Sequence, residues 1–552
     1  MQLYRAALEP SPPTGKTGAV FLAHVLYWAM PAVLLVWAVA GWRMRRLADR
    51  DEAAPVAGGR PLPRWLDGSL LGSALLATLL VLWLLPPAMR MQFDETSLCG
   101  TAQGMHRHRV AMMTMAAVPG PGGELVPLDW NLDKRPPLFA FLVSVLHDLT
   151  GYRIANAFAV NLALLWLFLS SLGRLAARAF GPAVGFAAQA LALGAPLLWH
   201  CASSAGFELL AAVAMFAAAA AARSAVAVPR RERVAYLLAT LLLLAWTRYE
   251  ALLAGAALLL WVWRRIGWRA VLAPGTRWVW AVGALLLVPL ALLLWQSRDP
   301  GFYLESGGAP LLAFGHLLAH AGPFLAAWSE FGVHAPLPGL AALLGSLAAL
   351  LWGWRTRGAA LAVLAPWLLP VAVQTVVVLA WFYGDAREPT ALRLFLPSAV
   401  LMALSPLLLL VLCGDRLRPW LAAALGGLAL LAVLLAAPER QRRGVLPPPL
   451  AVRVLAGVDA ALATLPCDRQ RTVLVGTIAQ YLLVRGFAAV PPQAVGQRGL
   501  GNATEVWFVE TALDAQLQQW FGDPAAQARG YRAETVYEVG GDLPLRISRV
   551  RR

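Results

Sequence analysis

Two adjacent carboxylates, Asp94 and Glu95, stand directly after the apolar run of residues 70–87. A membrane helix that ends in two acids leaves them at the water–lipid boundary, hydrated yet facing a low-dielectric wall. An acid so placed suits general-base work on a lipid-linked substrate. Further along the same polar loop comes Asp133-Lys134-Arg135-Pro136-Pro137, a cationic cluster stiffened by two prolines. Lys134 offers a phosphate a point charge, and Arg135 offers it a bidentate fork. The acid can take a proton, and the cations can hold a phosphate. The loop reads as half of an active site.

The elements that must position these groups follow from composition. Hydrophobic residues make up 59% of the 552 and charged residues only 14%. Apolar runs long enough for a hydrocarbon core of roughly 30 Å recur along most of the chain, which makes it a polytopic membrane protein. The formal charge of +16 does not point to nucleic acid, because the arginines sit in short loops where membrane topology accounts for them. Cys99, Cys201, Cys413 and Cys467 lack any CxxC spacing, and unpaired thiols are expected. The first apolar run follows a Pro-rich polar stretch and does not have the form of a cleavable signal peptide.

Hydropathy gives roughly twelve spans, at 19–42, 68–87, 154–172, 183–200, 205–222, 234–247, 249–263, 278–296, 338–354, 359–382, 393–413 and 419–437. Every second loop is rich in arginine, beginning with Arg43, Arg45, Arg46, Arg50, Arg60 and Arg64. The positive-inside rule assigns those loops to the cytoplasm and the Asp94 loop, with both termini, to the outside. Three outer segments are long: 88–153, with an interfacial helix at 137–150; 297–337, with Tyr303, Glu305, His316, His320 and Glu330; and the tail from 438. The tail alternates strand-like runs at 472–475 and 505–509 with a helical run at 478–487, the pattern of a small α/β domain. The fold class is therefore an all-α polytopic membrane protein with a C-terminal extracytoplasmic α/β domain. Its parts are 1–67 (an extra span and a cytoplasmic loop), 68–437 (the catalytic membrane region) and 438–552 (the outer domain).

Four short motifs go together: Phe93-Asp94-Glu95, Lys134-Arg135-Pro136-Pro137-Leu138, Thr247-Arg248-Tyr249-Glu250 and Arg393-Leu394-Phe395-Leu396-Pro397. Spread over 68–437, they resemble the GT-C superfamily of integral-membrane glycosyltransferases. The similarity is to its protein O-mannosyltransferases, lipid A aminoarabinose transferases and lipopolysaccharide-core enzymes. The resemblance implies transfer of a sugar from a polyprenyl-phosphate donor to a hydroxyl of a lipid, glycan or protein acceptor, outside the bacterial cytoplasmic (inner) membrane and with inversion. It implies Asp94 as the base, with Glu95 beside it, and a donor phosphate held by Lys134 or Arg135. The family places a lysine directly before Pro-Pro, and here Arg135 intervenes, so both stay open. Arg393 is implied at the phosphate end of the lipid, and as a basic residue on the outer side it also runs against the charge rule. Arg248 is a further phosphate candidate, although an interfacial ion pair with Glu250 accounts for it slightly better. No cofactor and no metal are implied; the partners are the lipid-linked donor, the acceptor and membrane lipid.

The histidines point elsewhere. His106 with His108, and His316 with His320, have pair spacings seen in zinc sites, but no Cys or acid stands at matching distance, and they read as structural. Gly15-Lys16-Thr17 mimics the end of a phosphate loop, with Pro10 where the first glycine would be needed. The rival function is a transporter or flippase of lipid-linked sugars. Transporters place ionisable groups at midplane on broken helices, whereas these gather at one face.

Overall fold

The computed structural model describes residues 16–50, 62–90, 92–122, 124–272, 278–297, 310–329, 345, 348, 351–353, 355, 359–412, 415–443, 450–495, 503, 505–529 and 531–551. The span expected at 338–354 lies almost wholly outside them, as do Tyr303, Glu305, Glu330 and Cys413. Helices dominate: α1 (Lys16–Arg50), α2 (Arg64–Leu84), α3 (Gln92–His108), α4 (Leu138–Thr150), α5 (Ala155–Phe180), α6 (Pro182–Leu193), α7 (Pro196–Ala202) and α8 (Glu208–Ala227). They continue with α9 (Arg231–Ala245), α10 (Tyr249–Ile266), α11 (Trp278–Ser297), α12 (Phe314–Ser329), α13 (Ala359–Ala380), α14 (Leu396–Leu404) and α15 (Arg418–Arg443).

Among the described residues, six helices are long and apolar enough to cross a membrane: parts of α1 and α13, all of α2, α5 and α8, and the stretch Arg393–Leu410. That is fewer than the roughly twelve that hydropathy gives, and the reasons are local. The run 183–200 is broken at Gly194-Ala195-Pro196 into α6 and α7, which bend by 75°. A proline lacks the N–H and clashes with the preceding turn, so a second helix starts there. Helix α9 has 15 residues, roughly 22 Å against a core of about 30 Å. Helix α10 carries Glu250, Arg264 and Arg265 within its 18 residues, so its uncharged stretch is shorter still.

Water cannot drive helices together inside lipid, so close backbone approach must do it. Helix α8 supplies this with buried Ala211, Ala212, Ala214, Ala218, Ala219, Ala221 and Ala222, and it packs on α9, α10 and α13. At the α5–α6 crossing a Cβ added to Gly185 would stand 2.7 Å from the Gly173 carbonyl oxygen. Only glycine fits so near a neighbouring backbone.

The loop 88–153 holds more structure than its hydropathy implies. Helix α3 is followed by an antiparallel hairpin, β1 (Met112–Pro119) and β2 (Leu125–Leu132), and then by α4. The hairpin lies directly on α3, and a Cβ on Gly104 would overlap the Met112 carbonyl oxygen at 2.0 Å. Helix α4, expected at the interface, buries Leu138, Phe139, Ala140, Phe141 and Val143.

The tail contains α16 (Leu450–Thr464), β3 (Thr472–Val475), α17 (Ala479–Val484), β4 (Ala489–Val490), β5 (Glu505–Thr511), β6 (Glu534–Val539) and β7 (Leu545–Arg551). The strands form one sheet in the order β4-β3-β5-β7-β6, with β4, β3 and β5 parallel and β7 antiparallel to both its neighbours. The sheet is not set apart from the rest. Ala116 and Val118 of β1 share a core with Val473, Val475, Val490, Phe508 and Val550, and α17 packs on α3. Cys99 and Cys201 are buried free thiols.

Candidate active site

Asp94 and Glu95 do not end the membrane helix. Helix α2 stops at Leu84, residues 85–90 run without helix through Pro86-Pro87, and the two acids fall in the first turn of α3. The prolines account for the break, and carboxylates in a first turn are favoured by the helix dipole. Neighbours on a helix diverge by about 100°, and the pair separates accordingly.

Asp94 turns toward arginine. One carboxylate oxygen meets the Arg135 guanidinium and the other meets that of Arg393. Arg135 is itself fixed by Asp133, whose Oδ1 accepts from Nη1 at 2.8 Å and from the backbone N–H at 3.2 Å. Arg393 opens the short 3-10 turn before α14, and its Nη1 lies 2.9 Å from Glu208 Oε1. Glu208, in the first turn of α8, is also 3.6 Å from Arg248 Nη1, and Arg248 pairs through Nε with Glu250. The Arg248 guanidinium stands 4.6 Å over the Phe207 ring. Three guanidinium groups thus alternate with the carboxyls of Asp133, Asp94, Glu208 and Glu250 in one continuous chain.

Exposure varies along the chain, and that variation matters. The Asp94 side chain is 26% exposed, Arg135 13%, Arg393 10% and Glu208 3%. Asp94 is therefore the member most open to a substrate, and the guanidiniums stand behind it. Of the two cations the sequence leaves open, Arg135 reaches Asp94, while the charge of Lys134 acts on Asp133. Burial pushes the Asp133 carboxyl up to about 7, against the pull of the Arg135 N–H and the Lys134 charge.

Glu95 faces the other way and is buried. Its Oε2 accepts the Arg90 backbone N–H at 2.9 Å, and Arg90 Nη2 donates to Ser203 Oγ at 3.0 Å. Asn161, also buried, donates to the carbonyls of Ser204 and Gly206 at 2.7 and 2.8 Å. Glu95 and Asn161 together hold the loop 203–207 that delivers Glu208. Glu208 is the member of the chain that the sequence reading misses. Its signal is partly that of Asp94, an acid in the first turn of a helix, here a lone one on an otherwise apolar helix.

Burial pushes Glu95 up to about 8 from 4.5, with backbone N–H groups and Arg90 working against the shift. Between these values the folded chain keeps a proton that the unfolded chain has released, so stability falls as pH rises, and the loss is complete above about 8. Glu95→Gln keeps an oxygen for the Arg90 N–H and has no proton to lose. The melting-temperature advantage of this variant over the parent should open between pH 5 and 8 and hold steady beyond. Thermal unfolding of the purified protein in detergent across that range measures it. A variant less stable than the parent at pH 8 would mean that Glu95 is folded in as a carboxylate.

The histidines make other bonds. His106 Nδ1 meets Asp148 Oδ1 at 2.6 Å, and His108 packs edge-on to Trp130 at 5.0 Å. His316 and His320 stack at 5.9 Å and reach the carbonyls of Pro310 and Leu379.

No protein-family model matches the chain, and no curated protein matches it. Three solved structures are similar in arrangement. ArnT from Cupriavidus metallidurans bound to undecaprenyl phosphate shares 14% identity, with 87% of this chain and 97% of that one covered at a TM-score of 0.46. The oligosaccharyltransferase of Archaeoglobus fulgidus, in complex with Zn and sulfate, shares 12% over 86% and 72%, at 0.47. Arabinosyltransferase EmbB from Mycobacterium smegmatis shares 16% over 86% and 47%, at 0.35.

Proposed function

We propose that this chain is a membrane glycosyltransferase that moves a sugar from a polyprenyl-phosphate donor to an acceptor hydroxyl on the outer face of a bacterial cytoplasmic membrane. The observation that carries the reading is the sharing of one accessible carboxylate, Asp94, by two less exposed guanidiniums, those of Arg135 and Arg393. A site that already holds one anion between two guanidinium forks is shaped for a second anion of similar geometry. Donor phosphate oxygens take over part of the arginine hydrogen bonding, and Asp94, relieved of it, regains basicity toward the acceptor. The acceptor oxygen then bonds to the anomeric carbon while the bond from that carbon to the phosphate oxygen breaks. The electron pair stays on the phosphate between Arg135 and Arg393, and the hydroxyl proton goes to Asp94. A single displacement of this kind inverts the anomeric centre. Glu208 and Arg248 serve by keeping Arg393 in place.

Purified protein with polyprenyl-phosphate sugar and an acceptor tests this directly. Transfer should persist in EDTA, since guanidiniums occupy the place a divalent ion would take at the leaving group. Activity lost in EDTA and restored by magnesium or manganese would make Asp94 a metal ligand instead. Movement of the lipid-linked sugar across vesicles, with no transfer to any acceptor, would favour the transporter.

A further inference from the structure

Helix α9 opens on three arginines, with Arg230 at its N-cap and Arg231 and Arg233 in the first turn, and no side chain caps its N–H groups. The helix macrodipole is positive at that end, so cations oppose it and an anion suits it. Arg230 and Arg233 stand one turn apart, and the charge of Arg230 acts on Arg233. Arg233 is only 7% exposed, and its one bond runs from Nη1 to the Ser224 carbonyl at 3.4 Å. Glu232, the acid of the same turn, does not pair with it, nor does any other carboxylate among the described residues. Nε and Nη2 make no bond among the described residues, yet both still touch the surface. A covered guanidinium, repelled by its neighbour and set against a dipole, calls for an anion from outside the chain.

The place of this turn in the bundle says which anion. Helix α8 runs from Glu208 to Ala227 and α9 returns, so the turn lies at the end opposite the candidate active site. Helix α1 packs on α9 there, and a Cβ on Gly41 would stand 3.3 Å from the ring of Tyr236, one turn along from Arg233. Next on α1 come Trp42, half exposed, and Arg46, whose guanidinium stands 4.0 Å over the Trp42 ring. An exposed tryptophan beside arginine, at the end of an apolar span, marks the headgroup level of a bilayer. We propose that the first turn of α9 binds the phosphate of an anionic phospholipid, held by the Arg230 and Arg233 guanidiniums and the first N–H groups of the helix. The arginine-rich loops, of which this is one, are those expected in the cytoplasm, where the leaflet surface is anionic. The site takes no part in sugar transfer, and it stands or falls apart from that reading.

Native mass spectrometry of the purified full chain, titrated with phosphatidylglycerol or phosphatidylcholine of the same acyl chains, tests the proposal. The first lipid bound should favour phosphatidylglycerol by about 30-fold, the preference that two arginines at a lipid surface supply. Arg233→Gln should cut that preference about fivefold, and so should Arg230→Gln, whose exposed side chain leaves folding untouched. Arg231→Gln, an exposed neighbour on the same turn, should leave it unchanged. An equal loss in Arg231→Gln would mean a diffuse basic surface and no site. A preference that survives both Arg230→Gln and Arg233→Gln would overturn the proposal. So would inorganic phosphate displacing the lipid, since the turn would then take a free anion.

Discussion

Asp94→Asn should lower transfer turnover by about two to four orders of magnitude, the usual contribution of a positioned general base. The amide keeps the shape of the carboxylate but offers no basic oxygen to the acceptor proton. Donor binding should move the opposite way. In the resting chain Asp94 occupies both Arg135 and Arg393, so a donor phosphate must compete with it. Asparagine leaves those guanidiniums seeking an anion, and the variant should bind the donor at least as tightly as the parent. Single-turnover transfer and donor binding, measured on the same preparation, separate the two effects. Wild-type turnover would place the base elsewhere. Weakened donor binding would mean that Asp94 helps to hold the phosphate, as a metal ligand does.

What the sequence discloses of this site is what breaks the apolar pattern. Asp94, Arg135, Arg248 and Arg393 stand out because charge is scarce in a chain with 59% hydrophobic residues. They lie far apart along the chain, and folding strings them together through ion pairs. Glu208 has the same signature but no second charged residue beside it, so it is easily passed over. Glu95 errs in the other direction. Adjacency in sequence makes it look like a partner of Asp94, whereas helical rotation sends it to the Arg90 backbone N–H and away from the Arg135 and Arg393 pairs of Asp94. The hairpin was passed over, although Pro119-Gly120-Pro121-Gly122-Gly123 is a turn signal between two strand-length runs. Two of the five tail strands were visible, as the runs 472–475 and 505–509 that fall in Thr472–Val475 and Glu505–Thr511. The span count was not legible. Hydropathy registers apolar composition, but it registers neither the bend at Pro196 nor the shortness of Arg231–Ala245.

Arg393→Gln should do the most damage among the cations: like Arg135 it serves two carboxylates, but one of them, Glu208, keeps only the more distant Arg248 in reserve among the described residues. Each charge-assisted hydrogen bond to the donor phosphate is worth roughly 1.5–3 kcal/mol, so donor affinity should fall about 10- to 150-fold. A second cost falls on the fold. With Arg393 gone, the nearest remaining cation to the 3%-exposed Glu208 is Arg248, at 3.6 Å. Breaking a buried ion pair typically costs about 3–5 kcal/mol because a charge is left without compensation. Arg135→Gln makes the comparison informative. Its partners are Asp94, the most open acid of the chain, and Asp133, which burial already pushes up to about 7. That variant should lose donor affinity by a similar factor with a much smaller drop in melting temperature. Arg393→Lys keeps the charge but not the fork, and it should recover stability before it recovers affinity. If Arg393→Gln is destabilised yet binds donor like the parent, Arg393 is a strut for Glu208 and the phosphate sits elsewhere. If Arg135→Gln and Arg393→Gln weaken donor binding equally and Asp94→Asn does not, the phosphate lies between the two guanidiniums that hold Asp94 in the resting chain.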